Sequence, residues 1–312
     1  MIDILRLSLN FFWFLFFIFF FFYVPGNYIL SFIKIKFEYP TNIFLSVITG
    51  IISFTMAMYI FSWLHIQLII FAIIITIFFL SYKKNLFRYQ IISKLHSKAT
   101  IFTVILSLLF SFQMIFNGNF GNTIYYFGDD IAHLAYINEL RFAFPPQHPG
   151  FAGVPLKGYH FFYDFLIAKI SNTSFLSPLS LYFHFMPLLV AFGWGFGTYS
   201  LLYSWTKRIS SVYWGVFLVL FGSSFGYILF FQHRHNGLLT SNFGIDQPNS
   251  ALLNAPYSFS VVIVIATLIL IHDYFVKRDK ILFLLIALFV GISPIFWFFS
   301  NAFQVIVKKQ NC

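Results

Sequence analysis

From Leu7 to Val24 the chain carries no charged side chain. With Ile4 and Leu5 ahead of it, such a run rises at ~1.5 Å per residue, far enough as a helix to cross a hydrocarbon core of ~30 Å. Lipid offers the backbone no hydrogen bonds, so a spanning segment must satisfy its own N–H and C=O groups, which a helix does. A secretory signal peptide would need an apolar stretch of only ~7–15 residues before a small-residue cleavage site. The run here is longer, and Val24-Pro25-Gly26-Asn27 is not that site.

The same pattern recurs along the chain. Of 312 residues 60% are hydrophobic and 9% charged, against about 45–50% and 25% in soluble domains. Phe alone occurs 49 times, with no visible internal repeat or linker. The expected fold class is therefore an all-α polytopic membrane protein of about eight transmembrane helices with two extracytoplasmic loops. The apolar periodicity places spans near 4–24, 43–62, 64–81, 99–117, 178–204, 211–231, 257–275 and 281–304. This divides the chain into N-terminal membrane helices (1–117), a polar loop segment (118–176) and C-terminal membrane helices (177–312) that include a second loop over 233–256.

A formal charge of +10 does not point to nucleic acid, because the Lys and Arg residues sit mostly at helix ends. Short cytoplasmic loops are enriched in these residues. One orientation puts Lys34, Lys36, Lys83, Lys84, Arg88, Lys94, Lys98, Lys207, Arg208, Lys277, Arg278 and Lys280 inside, 12 of the 19. Arg141, Lys157, Lys169 and Arg234 fall in the outer loops, so both long loops face outward. Lys308 and Lys309 also fall outside if the last span crosses fully, which implies a re-entrant end or a chain that stops before its partner helices. The lone Cys312 removes any intramolecular disulfide and any multi-cysteine metal site.

The polar chemistry concentrates in those loops. Gly128-Asp129-Asp130-Ile131-Ala132-His133 opens a helical pattern that continues to Phe142. If the helix starts there, Asp129, Asp130 and His133 fall on neighbouring turns and converge. Two adjacent carboxylates resist ionising together, which raises one pKa or recruits a divalent ion such as Mg or Mn. The plainer alternative makes Asp129 a helix cap and Asp130 a partner of the helix dipole. The Pro- and Gly-rich stretch Pro145 to Pro155 is expected to form a stiff ledge or lid. Tyr159 to Ile170 reads as a short amphipathic helix in the interface, with His160 and Asp164 on one face as substrate-orienting groups or as a simple i,i+4 pair. In the second loop His233, Arg234 and His235 offer a substrate-binding cluster, Arg234 being suited to a lipid-linked phosphate or to anionic headgroups. There is no Walker A loop, no His-Glu-x-x-His and no Gly-x-Ser-x-Gly.

The run Gly128 to Ala135, together with Pro145-Pro146-Gln147-His148-Pro149, Ala152-Gly153-Val154-Pro155-Leu156 and Tyr159, resembles membrane proteins of bacteria and archaea related to the GT-C glycosyltransferases. The likeness covers about residues 120–170, with a weaker likeness of helical layout to about 295. It implies an inverting enzyme that takes a sugar from a polyprenyl-phosphate donor on the outer face and passes it to a glycan, lipid or protein acceptor. It further implies that Asp129 acts as base or metal ligand beside Asp130. Members of that group carry the acidic pair after their first span, whereas four spans precede it here, and they are commonly longer. Two other expectations therefore stand beside the enzyme: a membrane protein that binds or moves a polyprenyl-linked glycan without catalysis, and an inactive, truncated relative.

Overall fold

The computed structural model describes residues 2–33, 37–86, 98–116, 130–156, 161–222 and 255–297. The described residues are almost entirely helical. The first rod runs as α1 (Ile2–Phe17), a π-helical stretch over Ile18–Tyr23, and α2 (Val24–Leu30); α3 (Tyr39–Trp63), α4 (Ile69–Lys83) and α5 (Lys98–Phe116) follow. Then come α6 (Asp130–Phe142), a β-hairpin of β1 (Gln147–His148) and β2 (Phe151–Pro155), and α7 (Phe162–Ser174). The short α8 (Pro178–Ser180) leads through a second π-helical stretch, Leu181–Phe185, into α9 (Met186–Thr206), followed by α10 (Ile209–Phe221), α11 (Ala255–Lys277) and α12 (Lys280–Trp297).

Among the described residues four helical rods are long and apolar enough to cross a membrane: Leu5–Leu30, Tyr39–Trp63, Pro178–Thr206 and Ala255–Lys277. α4, α5, α10 and α12 are equally apolar but shorter over their described lengths. Their outward faces carry large apolar side chains. Phe12, Trp214 and Leu284 are each about two-thirds exposed, as are many of their neighbours. Contiguous apolar surface on this scale is untenable in water but is what lipid contact permits. The protein is an all-α integral membrane protein.

Close helix crossings hold the bundle together. A side chain on Gly26 would collide with the Ser46 carbonyl, and one on Gly50 with the Phe22 carbonyl, so these two glycines let the first rod and α3 meet backbone to backbone. Asn42 Nδ2 donates to Asn27 Oδ1 at 3.2 Å across the same seam. Gly195 gives the same close approach between α9 and α5, beside Ser107. At the preceding residue the Trp194 indole donates to the Ser258 carbonyl of α11 at 3.0 Å, which satisfies its N–H inside an apolar interface.

The two ends of the bundle differ in charge. Two-residue turns with left-handed residues at Lys207 and Arg278 connect α9 to α10 and α11 to α12. They bring Lys207, Arg208, Lys277, Arg278 and Lys280 to the end where α4 finishes with Lys83 and Lys84 and α5 starts with Lys98. Trp63, Ser174, Pro178 and Ala255 mark the opposite end, which carries Arg6, Arg141 and Lys169. There the Trp13 indole donates to the Ser174 carbonyl at 2.7 Å, and Tyr59 packs against Phe162 and Phe165, which seats α7 on the first rod and α3.

Two expectations change in detail. The helix drawn over 159–170 forms as Phe162–Ser174, and 11 of its 13 side chains are buried, polar ones included. It is enclosed by protein and does not present a polar face outward, because Asp164 and Lys169 find their partners inside. The Pro- and Gly-rich ledge is a two-stranded antiparallel hairpin, with His148 opposite Phe151 and Gly153 at φ 80°. It is fastened two turns along α6 from Asp130. There Glu139 Oε1 accepts from the Gln147 N–H at 3.1 Å, and His148 stands edge-on to Tyr136.

Candidate functional site

The site is built on α6. Asp130, His133, Ile137 and Leu140 form its buried stripe, spaced three, four and three residues apart so that they share one face. The lower part of the stripe is apolar and packs on α7. Its first turn is polar, and each polar group meets a partner from another element.

His133 lies against Asp164 of α7. Its Nδ1 stands 2.9 Å and 3.0 Å from the two carboxylate oxygens. An ionised carboxylate only accepts hydrogen bonds, so Nδ1 carries the proton and Nε2 is the ring atom able to take up another. Asp164 is wholly buried and His133 is 9% exposed, which shields the pair from competing water and strengthens it.

Asp130 is held from a third direction. The Tyr182 hydroxyl donates to its Oδ1 at 3.0 Å, from within the π-helical stretch that opens α9. A π turn widens the helix by one residue per hydrogen-bonded ring and is found disproportionately at functional sites. The Tyr182 ring lies 5.9 Å from the His133 ring, so the two pairs adjoin. Tyr163, next in sequence to Asp164, is completely buried between Tyr182 and Phe259. Burial first, and then the negative charges of Asp164 and Asp130, push its phenol far above the ordinary tyrosine range. Tyr163 is therefore a permanent neutral hydroxyl, and that hydroxyl has no hydrogen-bond partner among the described residues.

Lys169 lies one face away and 1% exposed. Its ammonium donates to the Leu140 carbonyl in the last turn of α6 at 3.0 Å, reaches Gln67 Oε1 at 3.5 Å, and sits over the Phe165 ring at 5.1 Å. A cation here complements the negative end of the α6 dipole. Burial nevertheless pushes its pKa down to about 8.

Of the residues singled out from the sequence, the structure brings Asp130, His133 and Asp164 together. Asp164 pairs with His133, 31 positions away. Asp129, His160, His233, Arg234 and His235 lie outside the described residues. No three His, Cys, Asp or Glu side chains among the described residues are grouped so as to hold a metal ion. The two oxygens of Asp164 are turned to His133 and one oxygen of Asp130 to Tyr182, so these residues do not by themselves fit a divalent cation. Sequence reasoning missed Tyr163, Lys169 and Tyr182. The one available signal was a polar Tyr182 and His184 inside an apolar span, since polar groups there are costly unless they are partnered.

Compared with protein-family models, with curated proteins and with solved structures, the chain gives no match.

Proposed function

We propose that the chain is a membrane glycosyltransferase of GT-C-like architecture, moving a sugar from a polyprenyl-phosphate donor to a glycan, lipid or protein hydroxyl outside the cell. The observation that carries the proposal is the His133–Asp164 pair adjoining the Asp130–Tyr182 pair. These four polar side chains stand buried together at one end of the bundle. Such groups are expensive beside lipid and mark functional sites.

In this proposal all eight helical rods cross. The short rods support it by alternating in direction with the long ones: α4, α10 and α12 each join a neighbour through a tight turn at one end. The end that bears the site faces outward, because the end carrying Lys207, Arg208, Lys277, Arg278 and Lys280 is the one that the bias of basic residues assigns to the cytoplasm.

The chemistry asked of the site is simple. An acceptor hydroxyl gives its proton to His133 Nε2 as its oxygen bonds to the anomeric carbon. The bond from that carbon to the donor phosphate breaks, and the phosphate leaves with the electron pair. Asp164 fixes the imidazole and stabilises the imidazolium that forms. Asp130, oriented by Tyr182, is suited to accept a hydrogen bond from a sugar hydroxyl. Arg234 is the candidate cation for the leaving phosphate.

The complete enclosure of Asp164 favours one second reading, in which the same groups hold a lipid-linked glycan without turning it over. Purified protein in liposomes, supplied with a panel of polyprenyl-phosphate hexoses and an acceptor extract, separates the two. Release of polyprenyl phosphate that falls ~10²–10⁴-fold in His133→Gln supports catalysis. Donor retention without release supports the binding protein, and neither retention nor release removes both.

A further inference from the structure

A second polar site lies at the opposite end of the bundle. Where α3 begins and α9 and α11 finish, a cavity of about 240 Å³ is lined by residues that include Glu38, Tyr203, Lys207, Asp273 and Lys277. Pockets for drug-sized molecules run to about 300–1,000 Å³. This cavity suits a smaller group.

Its charges are arranged in two signs. Lys207 contributes one cation, lying over the Tyr203 ring at 5.2 Å and loosely paired with Glu38 at 3.7 Å. Lys277 contributes the other, and it has no ion-pair partner among the described residues although Asp273 stands one helical turn before it. The Asp273 carboxylate is 16% exposed and stands 3.3 Å from Nδ1 of His272. A carboxylate and an ammonium that share one helix face, and line one cavity without touching, leave room between them. A ligand carrying both signs fits that spacing.

The position identifies the ligand. In a membrane-spanning bundle this end lies at the level of the lipid headgroups, and the exposed Trp205 and Phe275 flank it as interfacial and acyl-chain contacts. Basic pockets between helices at this level hold phospholipid heads. We infer that the cavity binds a phospholipid whose headgroup joins a phosphate to a primary ammonium, namely phosphatidylethanolamine. Lys207 and Lys277 take the phosphate, and Asp273 with Glu38 accepts the ammonium N–H groups. An anionic head such as glycerol phosphate would leave the two carboxylates facing more negative charge. A choline head has no N–H to give them.

The site is independent of the glycosyl-transfer proposal, which concerns the other end. Native mass spectrometry of the purified full chain, delipidated and given equal amounts of phosphatidylethanolamine, phosphatidylglycerol and phosphatidylcholine, tests it. Phosphatidylethanolamine should be retained about tenfold over either rival, as expected for one charge-assisted hydrogen bond gained or lost. Lys277→Gln, which removes a phosphate partner common to the three lipids, should lower the retention of each, and being exposed, Lys277 can be replaced without harm to the fold. Asp273→Asn should shift retention toward phosphatidylglycerol. Equal retention of the three lipids, no retention, or an unchanged preference in Asp273→Asn overturns the site.

Discussion

Asp164 presents both carboxylate oxygens to Nδ1 of His133, at 2.9 Å and 3.0 Å, across the seam between α6 and α7. This contact fixes the tautomer of the imidazole, and so decides which nitrogen can act as a base. It also joins two helices that the sequence separates by a hairpin.

The first prediction follows from that contact. Asp164→Asn keeps the shape of the side chain but replaces one acceptor oxygen with a donor, so the ring turns or its tautomers mix. Turnover of a polyprenyl-phosphate sugar should fall by about 10²–10⁴-fold, the range for loss of a positioned acid–base group. The pH–rate profile should move as well, which a purely structural contact would not cause. A profile and rate equal to the parent protein's would remove His133 from the proposed chemistry.

Tyr182→Phe deletes the hydroxyl that donates to Asp130. A buried carboxylate that loses one such donor costs about 1–3 kcal/mol. The thermal midpoint in detergent should drop by several degrees. Asp130→Asn, in which a neutral amide replaces the charge, should lose less stability, and the comparison of the two midpoints measures how much of the effect is the charge itself.

Lys169 supplies a pH test. Its ammonium has an ordinary pKa of 10.5 and about 8 in the folded protein. Between these values the unfolded chain binds more protons than the folded one, so stability should rise as pH is raised from about 8 towards 10.5. Below that window both states are charged and the slope from this group vanishes. Denaturation midpoints measured across the window should show the rise, and Lys169→Met should flatten it. An identical slope in both proteins would assign it to other groups.

Gly50→Val tests the α3 crossing. The Phe22 carbonyl occupies the space that a side chain would need, and backbone cannot step aside as a flexible side chain can. The yield of monodisperse protein on size exclusion should collapse, whereas Gly291→Ala, with nothing near the added carbon, should leave it unchanged.

Orientation is open to labelling. With Cys312 replaced by Ser, a cysteine at His148 should react with an impermeant maleimide in intact cells. One at Arg208 should react only after permeabilisation. The reverse pattern would invert the proposed topology.

The sequence alone determined the class of molecule and its solvent. Apolar runs from Leu7 to Val24 and onward are too long and too uncharged for water, and the helix that continues to Phe142 was legible from its pattern. The residue type at the site was legible too, since carboxylates and histidines are conspicuous in a chain with so few charges. Partnership was not. Asp164 was expected to look to His160 or outward from an interfacial helix, since local spacing is all that a sequence displays. Only tertiary packing brings Asp164 to His133, Tyr182 to Asp130 and Lys169 to the Leu140 carbonyl. The reason is physical: a buried polar group must be satisfied by whatever element the fold sets against it, and that element is chosen by how helices cross at Gly26, Gly50 and Gly195, far from the site in sequence.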